Sequence, residues 1–153
     1  MKYVSIPKSL TNIRINSSQP YLRKFTINNL EPNTNNQSTI ALGYDRELTH
    51  LVMPGTYPTM VATVQGSRIQ KYTIPETVTT LNSEALMYSY FLTELHCLPT
   101  TPPTMSNIRA INGMSPNGII YVPYSEDHSI LEAYQTATNW STFASKMQEE
   151  PQS

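Results

Sequence analysis

The amino-acid sequence predicts a repeat solenoid, in which short strands recur about every 23 residues, form one parallel sheet and end in a helical segment. The first observation is a nine-residue motif that occurs twice: residues 5–13 (SIPKSLTNI) return as residues 73–81 (TIPETVTTL), 68 positions later. The second is a series of similar segments between and beyond these copies. The third is a stretch, residues 129–147, whose apolar residues recur at helical spacing.

Six segments alternate apolar and polar residues, which is the period of a half-buried strand. A proline directly follows four of them and would end the strand by removing a hydrogen-bond donor. The last inward residue of each segment follows the previous one by 21, 26, 21, 23 and 25 positions. The predicted inward pairs are Val4/Ile6, Phe25/Ile27, Leu51/Met53, Tyr72/Ile74, Leu95/Cys97 and Ile120/Val122.

The residues between the inward pairs are expected to point outward and to form a candidate binding face. The central outward row is Ser5, Thr26, Val52, Thr73, His96 and Tyr121. From this face we select as candidate binding residues Lys24, His50, Lys71, Glu94, His96 and Tyr121. A slip of one residue would exchange the two faces, so the exposure of His96 and the burial of Cys97 test the register.

The C-terminal region is expected to cover the last repeat. We assign residues 1–118 to the solenoid, with about five repeats, residues 119–148 to a strand followed by a helical cap, and residues 149–153 to a loose tail that begins near Gln148. Ser125 or Asp127 is a suitable N-cap for the helix. An end repeat exposes an apolar surface, which Tyr134, Trp140 and Phe143 would cover.

Two stretches carry a resemblance to a known family. Residues 72–86 (YTIPETVTTLNSEAL) and 92–104 (LTELHCLPTTPPT) resemble the leucine-rich repeats of BspA-like surface proteins, which run roughly IPxSVTxIxxxAF. Residues 120–123 (IYVP) and 137–141 (ATNWS) are similar to the segment that closes the last repeat in many of these proteins. The resemblance spans residues 72–147 and implies a leucine-rich-repeat fold with a binding or adhesion function. Such repeats also occur in bacteriophage structural proteins.

Composition argues against several classes of partner. Charged residues make up 14% of the chain and the formal net charge is -1, so there is no electrostatic reason to expect nucleic acid or an anionic membrane as partner. No run of 18 apolar residues is present, which argues against membrane insertion. The N-terminal residues lack the apolar core of a signal peptide. We therefore expect either a fragment of a secreted protein or a virion protein, located at an extracellular or virion surface.

The residue pattern does not predict an enzyme. Cys97 has no second cysteine to pair with, and the three histidines, His50, His96 and His128, lack metal-ligand spacing. We therefore expect no catalytic residues, no cofactor and no metal, and a protein or glycan as ligand.

The N-terminal edge of the predicted sheet suggests a second function. The first strand contains Lys2, Val4 and Ile6 and begins without a preceding element that could cover it. Unpaired strand edges are templates for another chain. The alternative to an adhesion module is therefore a structural virion component, such as a fibre, decoration or tail protein, that self-associates or contacts another subunit through this edge. If the apolar residues that follow the first strand cover this edge instead, the edge is not available for assembly.

Overall fold

The computed structural model describes residues 58–60 and 68–152, together with the backbone of five short strands earlier in the chain. The strands are β1 (Ser5–Ile6), β2 (Ile13–Arg14), β3 (Lys24–Ile27), β4 (Ile40–Ala41), β5 (His50–Val52), β6 (Thr59–Met60), β7 (Lys71–Ile74), β8 (Thr80–Leu81), β9 (Glu94–Cys97), β10 (Thr104–Met105), β11 (Ile119–Val122) and β12 (Met147–Glu149). The helices are α1 (Ser129–Thr136) and two 3₁₀ helices, Ile108–Ala110 and Trp140–Lys146.

Seven strands form one parallel sheet in the order β1-β3-β5-β7-β9-β11-β12. A second parallel sheet has the order β10-β8-β6, and β2 pairs with β4 in a third. From β1 to β11, the chain passes through one strand of a smaller sheet before it returns to the main sheet. Between β11 and β12 it passes instead through α1 and the second 3₁₀ helix, so the fold combines parallel sheets with helices, as in α/β proteins.

The six strands predicted from the alternating pattern correspond to β1, β3, β5, β7, β9 and β11. Tyr72 pairs with Leu95 and Ile74 pairs with Cys97, while Leu95 pairs with Ile120 on its other side. These are the predicted inward neighbours, so the predicted register is confirmed for β7, β9 and β11. The inward residues Val4 and Met53 lie outside the described residues.

Alternation along each strand separates a buried side from an exposed side. In β7, Tyr72 and Ile74 are buried, whereas Lys71 and Thr73 are exposed. The inward side chains of β9 and β11 are 0% exposed and form part of one continuous apolar core. Removing this apolar surface from water is the main stabilising contribution to the sheet.

Two threonines link the starts of neighbouring strands by hydrogen bonds, and we call these links the threonine ties. The Thr79 backbone N–H and hydroxyl donate to the carbonyl of Pro58, at 2.8 and 3.3 Å. The corresponding groups of Thr93 donate to the carbonyl of Gln70, at 2.8 and 3.1 Å. The two ties span 21 and 23 residues, which matches the spacing of the alternating segments.

Two aromatic side chains anchor the C-terminal helices to the proline-rich connector after β9. Trp140 is fully buried, and its indole N–H donates to the carbonyl of Pro103 at 2.7 Å. Tyr134 is also fully buried, and its hydroxyl donates to the carbonyl of Pro99 at 2.8 Å. The two rings meet edge to face with centroids 5.1 Å apart. Buried Tyr and Trp require such partners for their polar atoms, so these bonds fix where the helices sit.

Neither Ser125 nor Asp127 is the N-cap residue of α1, so that prediction was wrong, although both side chains accept hydrogen bonds from the first turn. The residue at the cap position is His128, in a left-handed conformation with φ 58°, and its side chain makes no capping bond. The Asp127 carboxylate accepts from the N–H of Ser129 at 3.1 Å, and the Ser125 hydroxyl accepts from the N–H of Ile130 at 3.2 Å. Two of the N–H groups that a helix start leaves without a partner are thereby satisfied.

The sequence prediction was wrong about residues 147–149. Met147 was expected to end a helix, and Gln148 and Glu149 to belong to a loose tail. Instead these residues form β12, in which Met147 pairs with Ile120 and Glu149 with Val122. The cause is tertiary: Met147 is only 6% exposed, and the strand exists because β11 supplies a ladder for it.

None of the helices in the described part of the chain has the length and apolar character needed to cross a bilayer.

Candidate binding face

One side of the seven-stranded sheet carries the described candidate binding residues, and we call it the outer face. Its members here are Lys71 and Thr73 of β7, Glu94 and His96 of β9, and Tyr121 of β11. Lys71 pairs with Glu94, and His96 lies between Thr73 and Tyr121 in the next line of the register. The strand alternation that buries their neighbours therefore brings these side chains together.

Lys24 and His50 are placed by their backbones alone. Lys24 pairs with His50, and His50 pairs with Lys71, so both occupy the register line that continues to Glu94. Their side chains lie outside the described residues. Of the predicted N-terminal edge, Ile6 lies in β1, while Lys2 and Val4 fall outside the described residues.

A chain of charged and polar contacts crosses the outer face. Lys71 Nζ lies 3.0 Å from Glu94 Oε2, and His96 Nε2 lies 3.2 Å from the same carboxylate oxygen. The other ring nitrogen of His96, Nδ1, contacts the carboxylate of Glu150. The hydrogen bond from Lys71, followed in size by that from His96, lowers the pKa of Glu94. The carboxylate of Glu94 is thus held in its charged form by two partners.

His96 is also stacked on Tyr121. The ring centroids are 4.7 Å apart and the planes differ by 15°, which is an offset-parallel arrangement typical of aromatic pairs. The His96 side chain is 14% exposed and Lys71 is 56% exposed, so the face has a partly covered centre and an open side. This surface offers a flat aromatic area and charged groups of both signs on three neighbouring strands of the sheet.

Glu150 is a member of the outer face that the sequence pattern did not indicate. It follows β12, and its N–H donates to the carbonyl of Val122 at 2.8 Å, which places its side chain beside His96. The adjacent Glu149 accepts from the N–H of Ser125 at 3.2 Å and from the ring of His128 at 2.8 Å. No signal in the sequence connects these glutamates with histidines that lie 21 and 54 residues away.

Cys97 lies on the opposite side of the sheet from His96, as predicted. It is 0% exposed, and burial raises the pKa of its thiol. The same burial, with the neighbouring Cys97, raises the pKa of the Tyr134 hydroxyl. A buried thiol whose charged form is disfavoured is a core residue and a poor nucleophile.

A second surface feature is a cluster of exposed aromatics in the turn before β9. Tyr88, Tyr90 and Phe91 are 37%, 61% and 45% exposed, and the Arg68 guanidinium lies 4.8 Å from the centre of the Phe91 ring. Tyr88 has a positive φ of 63°, and its backbone packs against Gly113, where a Cβ would lie 3.1 Å from the Tyr88 nitrogen. This cluster is separate from the outer face, since none of its members belongs to the strands of the main sheet.

In the described residues, no three His, Cys, Asp or Glu side chains are arranged to hold a metal ion. His96, Glu94 and Glu150 are residue types that can bind metals, but their side chains contact each other directly.

Neither a protein-family model nor a curated protein matches the chain. Its function is therefore inferred from the outer face and from the sequence.

Proposed function

We propose that this chain is a leucine-rich-repeat solenoid, similar to the BspA-like surface proteins, and that it acts as a non-catalytic binding or adhesion module. Three features support the solenoid: the parallel sheet, the strand spacing of 21 to 26 residues, and the threonine ties that repeat at the same interval. Stacked repeats of this size bury a continuous core that no single repeat could form alone.

The observation that carries the binding function is the outer face itself. His96 and Tyr121 stack there, beside the Lys71–Glu94 ion pair. The alternate residues of the same strands, such as Leu95 and Ile120, are fully buried on the other side of the sheet. Tyrosine offers a large contact area at a small entropic cost, and charged neighbours provide orientation. The ligand is a protein or a glycan at a cell or virion surface, and the chain is located at that surface.

Removing the stacked pair should weaken recognition without unfolding the chain. We expect the double variant His96→Ala, Tyr121→Ala to bind at least about tenfold more weakly, because central aromatic residues carry a large share of interface energy. Binding of the wild-type chain is first located on a glycan array and a panel of immobilised surface proteins, and the variant is then titrated against each positive.

A matched control is the double variant His128→Ala, Tyr90→Ala. It removes the same two residue types from positions that are exposed and lie outside the main sheet. Both variants are checked by circular dichroism. If the control loses binding and the outer-face variant retains it, the outer face is not the recognition surface.

A structural role in a virion is the second candidate, and the position of β1 favours it. Among the described strands, β1 pairs with β3 alone, so it lies at one end of the seven-stranded sheet. An edge strand can pair with another chain. In this reading the chain joins an assembly through Lys2, Val4 and Ile6.

The variant Val4→Lys, Ile6→Lys should then reduce self-association. Charged residues on an edge strand block pairing with another edge, so we expect the wild-type chain to form concentration-dependent oligomers and the variant to remain monomeric. Light scattering over a range of concentrations measures this, with circular dichroism to confirm that the variant is folded. A wild-type chain that stays monomeric at high concentration contradicts the joint.

A further inference from the structure

His96 has a carboxylate on each of its two ring nitrogens. Nδ1 contacts Glu150, and Nε2 lies 3.2 Å from Glu94. An ionised carboxylate is only an acceptor, and a neutral imidazole has a single N–H to donate. One of the two contacts is therefore unfavourable whenever the ring is neutral, and both are favourable when the ring carries two protons.

We propose that His96 is a proton-dependent latch: in its doubly protonated form it bridges Glu94 of β9 and Glu150 after β12, and so holds the C-terminal strand on the sheet. The latch acts between distant parts of the chain, since His96 and Glu150 are 54 residues apart. Its existence depends on the hydrogen-bond geometry alone and not on the identity of any ligand.

The surroundings of the ring determine what happens when it loses a proton. In the described residues, His96 contacts Glu94 on its own strand, Tyr121 on β11 and Glu150 beyond β12. Lys71 on β7 contacts the same oxygen of Glu94. With a charged ring, the cluster has two positive and two negative groups. With a neutral ring it has one net negative charge. Glu94 keeps its bond to Lys71 in both states, whereas the described residues offer Glu150 no second side-chain partner.

The stabilisation by the latch is lost both at high pH, through His96, and at low pH, through Glu94. Stabilisation that requires a doubly protonated imidazole is present at low pH and is lost at high pH, where the ring is neutral. The pKa of Glu94 is lowered, so its contribution is present above its unfolded value and is lost as the pH falls through the folded value. The latch therefore requires mildly acidic solution, in which the ring is charged and Glu94 is still ionised.

A double-mutant cycle on the full chain tests the latch. The variants are His96→Gln, Glu150→Gln and the combination, and the equilibrium constant of urea unfolding is measured at about pH 5.5 and about pH 8.5. We expect the coupling between the two residues to be about tenfold at the lower pH and under about twofold at the higher pH, since a charge-assisted hydrogen bond exceeds a neutral one. Equal coupling at both values, or none at either, overturns the proposal.

The second histidine–glutamate pair provides a control. His128 contacts a single carboxylate, that of Glu149, and is 62% exposed, so a neutral ring can satisfy the contact. The matching cycle with His128→Gln and Glu149→Gln should change less with pH than the His96 cycle. A change of equal or larger size would assign the effect to general charge and overturn the latch.

Hydrogen exchange gives a second readout in the wild-type chain. The N–H of Glu150 donates to the carbonyl of Val122 and reports directly on whether the strand is docked. After correction for the intrinsic rate, its protection should fall by about tenfold between the two pH values and become independent of pH in Glu150→Gln. Unchanged protection in the wild-type chain overturns the proposal even if a variant fails to fold.

Discussion

Replacing Trp140 with alanine is expected to lower the free energy of unfolding by about 3–5 kcal/mol. The indole is completely buried, so the substitution leaves a cavity in the apolar core. It also removes the donor to the Pro103 carbonyl and the edge-to-face contact with Tyr134. Urea denaturation followed by circular dichroism measures the change as a shift of the midpoint.

Two further variants separate the causes of this loss. Trp140→Phe retains an aromatic ring but cannot donate to Pro103, so it should fall between alanine and the wild type. Tyr90→Ala removes an aromatic that is 61% exposed and should stay within about 0.5 kcal/mol of the wild type. A Trp140→Ala variant with an unchanged midpoint would mean that the indole is not part of the core.

Truncation after Thr104 is expected to produce an aggregating protein, the second large effect. The deletion cuts β10 after its first residue and removes both 3₁₀ helices, β11, α1 and β12. Leu95 and Cys97 would then be exposed, since β11 and Tyr134 lie against them, and the edge of β9 would be unpaired. Size-exclusion chromatography with light scattering detects the aggregates.

The control for this deletion removes only residues 151–153. Pro151 and Gln152 are exposed, so the shorter chain should unfold at the same temperature as the full chain. A soluble 1–104 fragment that unfolds cooperatively would show that the C-terminal segment is not needed to cover the sheet.

The strands of the main sheet could be predicted because their residues alternate clearly. The inward residues of β7 and β9 are apolar, their outward neighbours are polar, and a proline follows Ile74. Counting from these residues also predicts that His96 and Tyr121 share a register line, which is where they stack. Local pattern was sufficient here because each of these strands pairs with one 21 to 26 residues away.

The second sheet and β12 could not be predicted in this way. Strands of two residues, such as Thr80–Leu81, are too short to show a period, and Met147–Glu149 has one apolar residue in three. The position of Glu150 beside His96 depends on where the chain returns after α1 and the second 3₁₀ helix, and this is determined by tertiary packing. The position of His96 on the outer face was therefore predictable, but its contact with Glu150 was not.

The place of β12 in the sheet affects how the nascent chain is completed. β11 is synthesised before α1 and the second 3₁₀ helix, whereas β12, its neighbour at the end of the sheet, follows them. Translation adds about 5–20 residues per second. Until β12 emerges from the ribosome, the edge of β11 that faces away from β9 has no strand to pair with. For this interval, β11 presents one unpaired edge to other nascent chains and to chaperones.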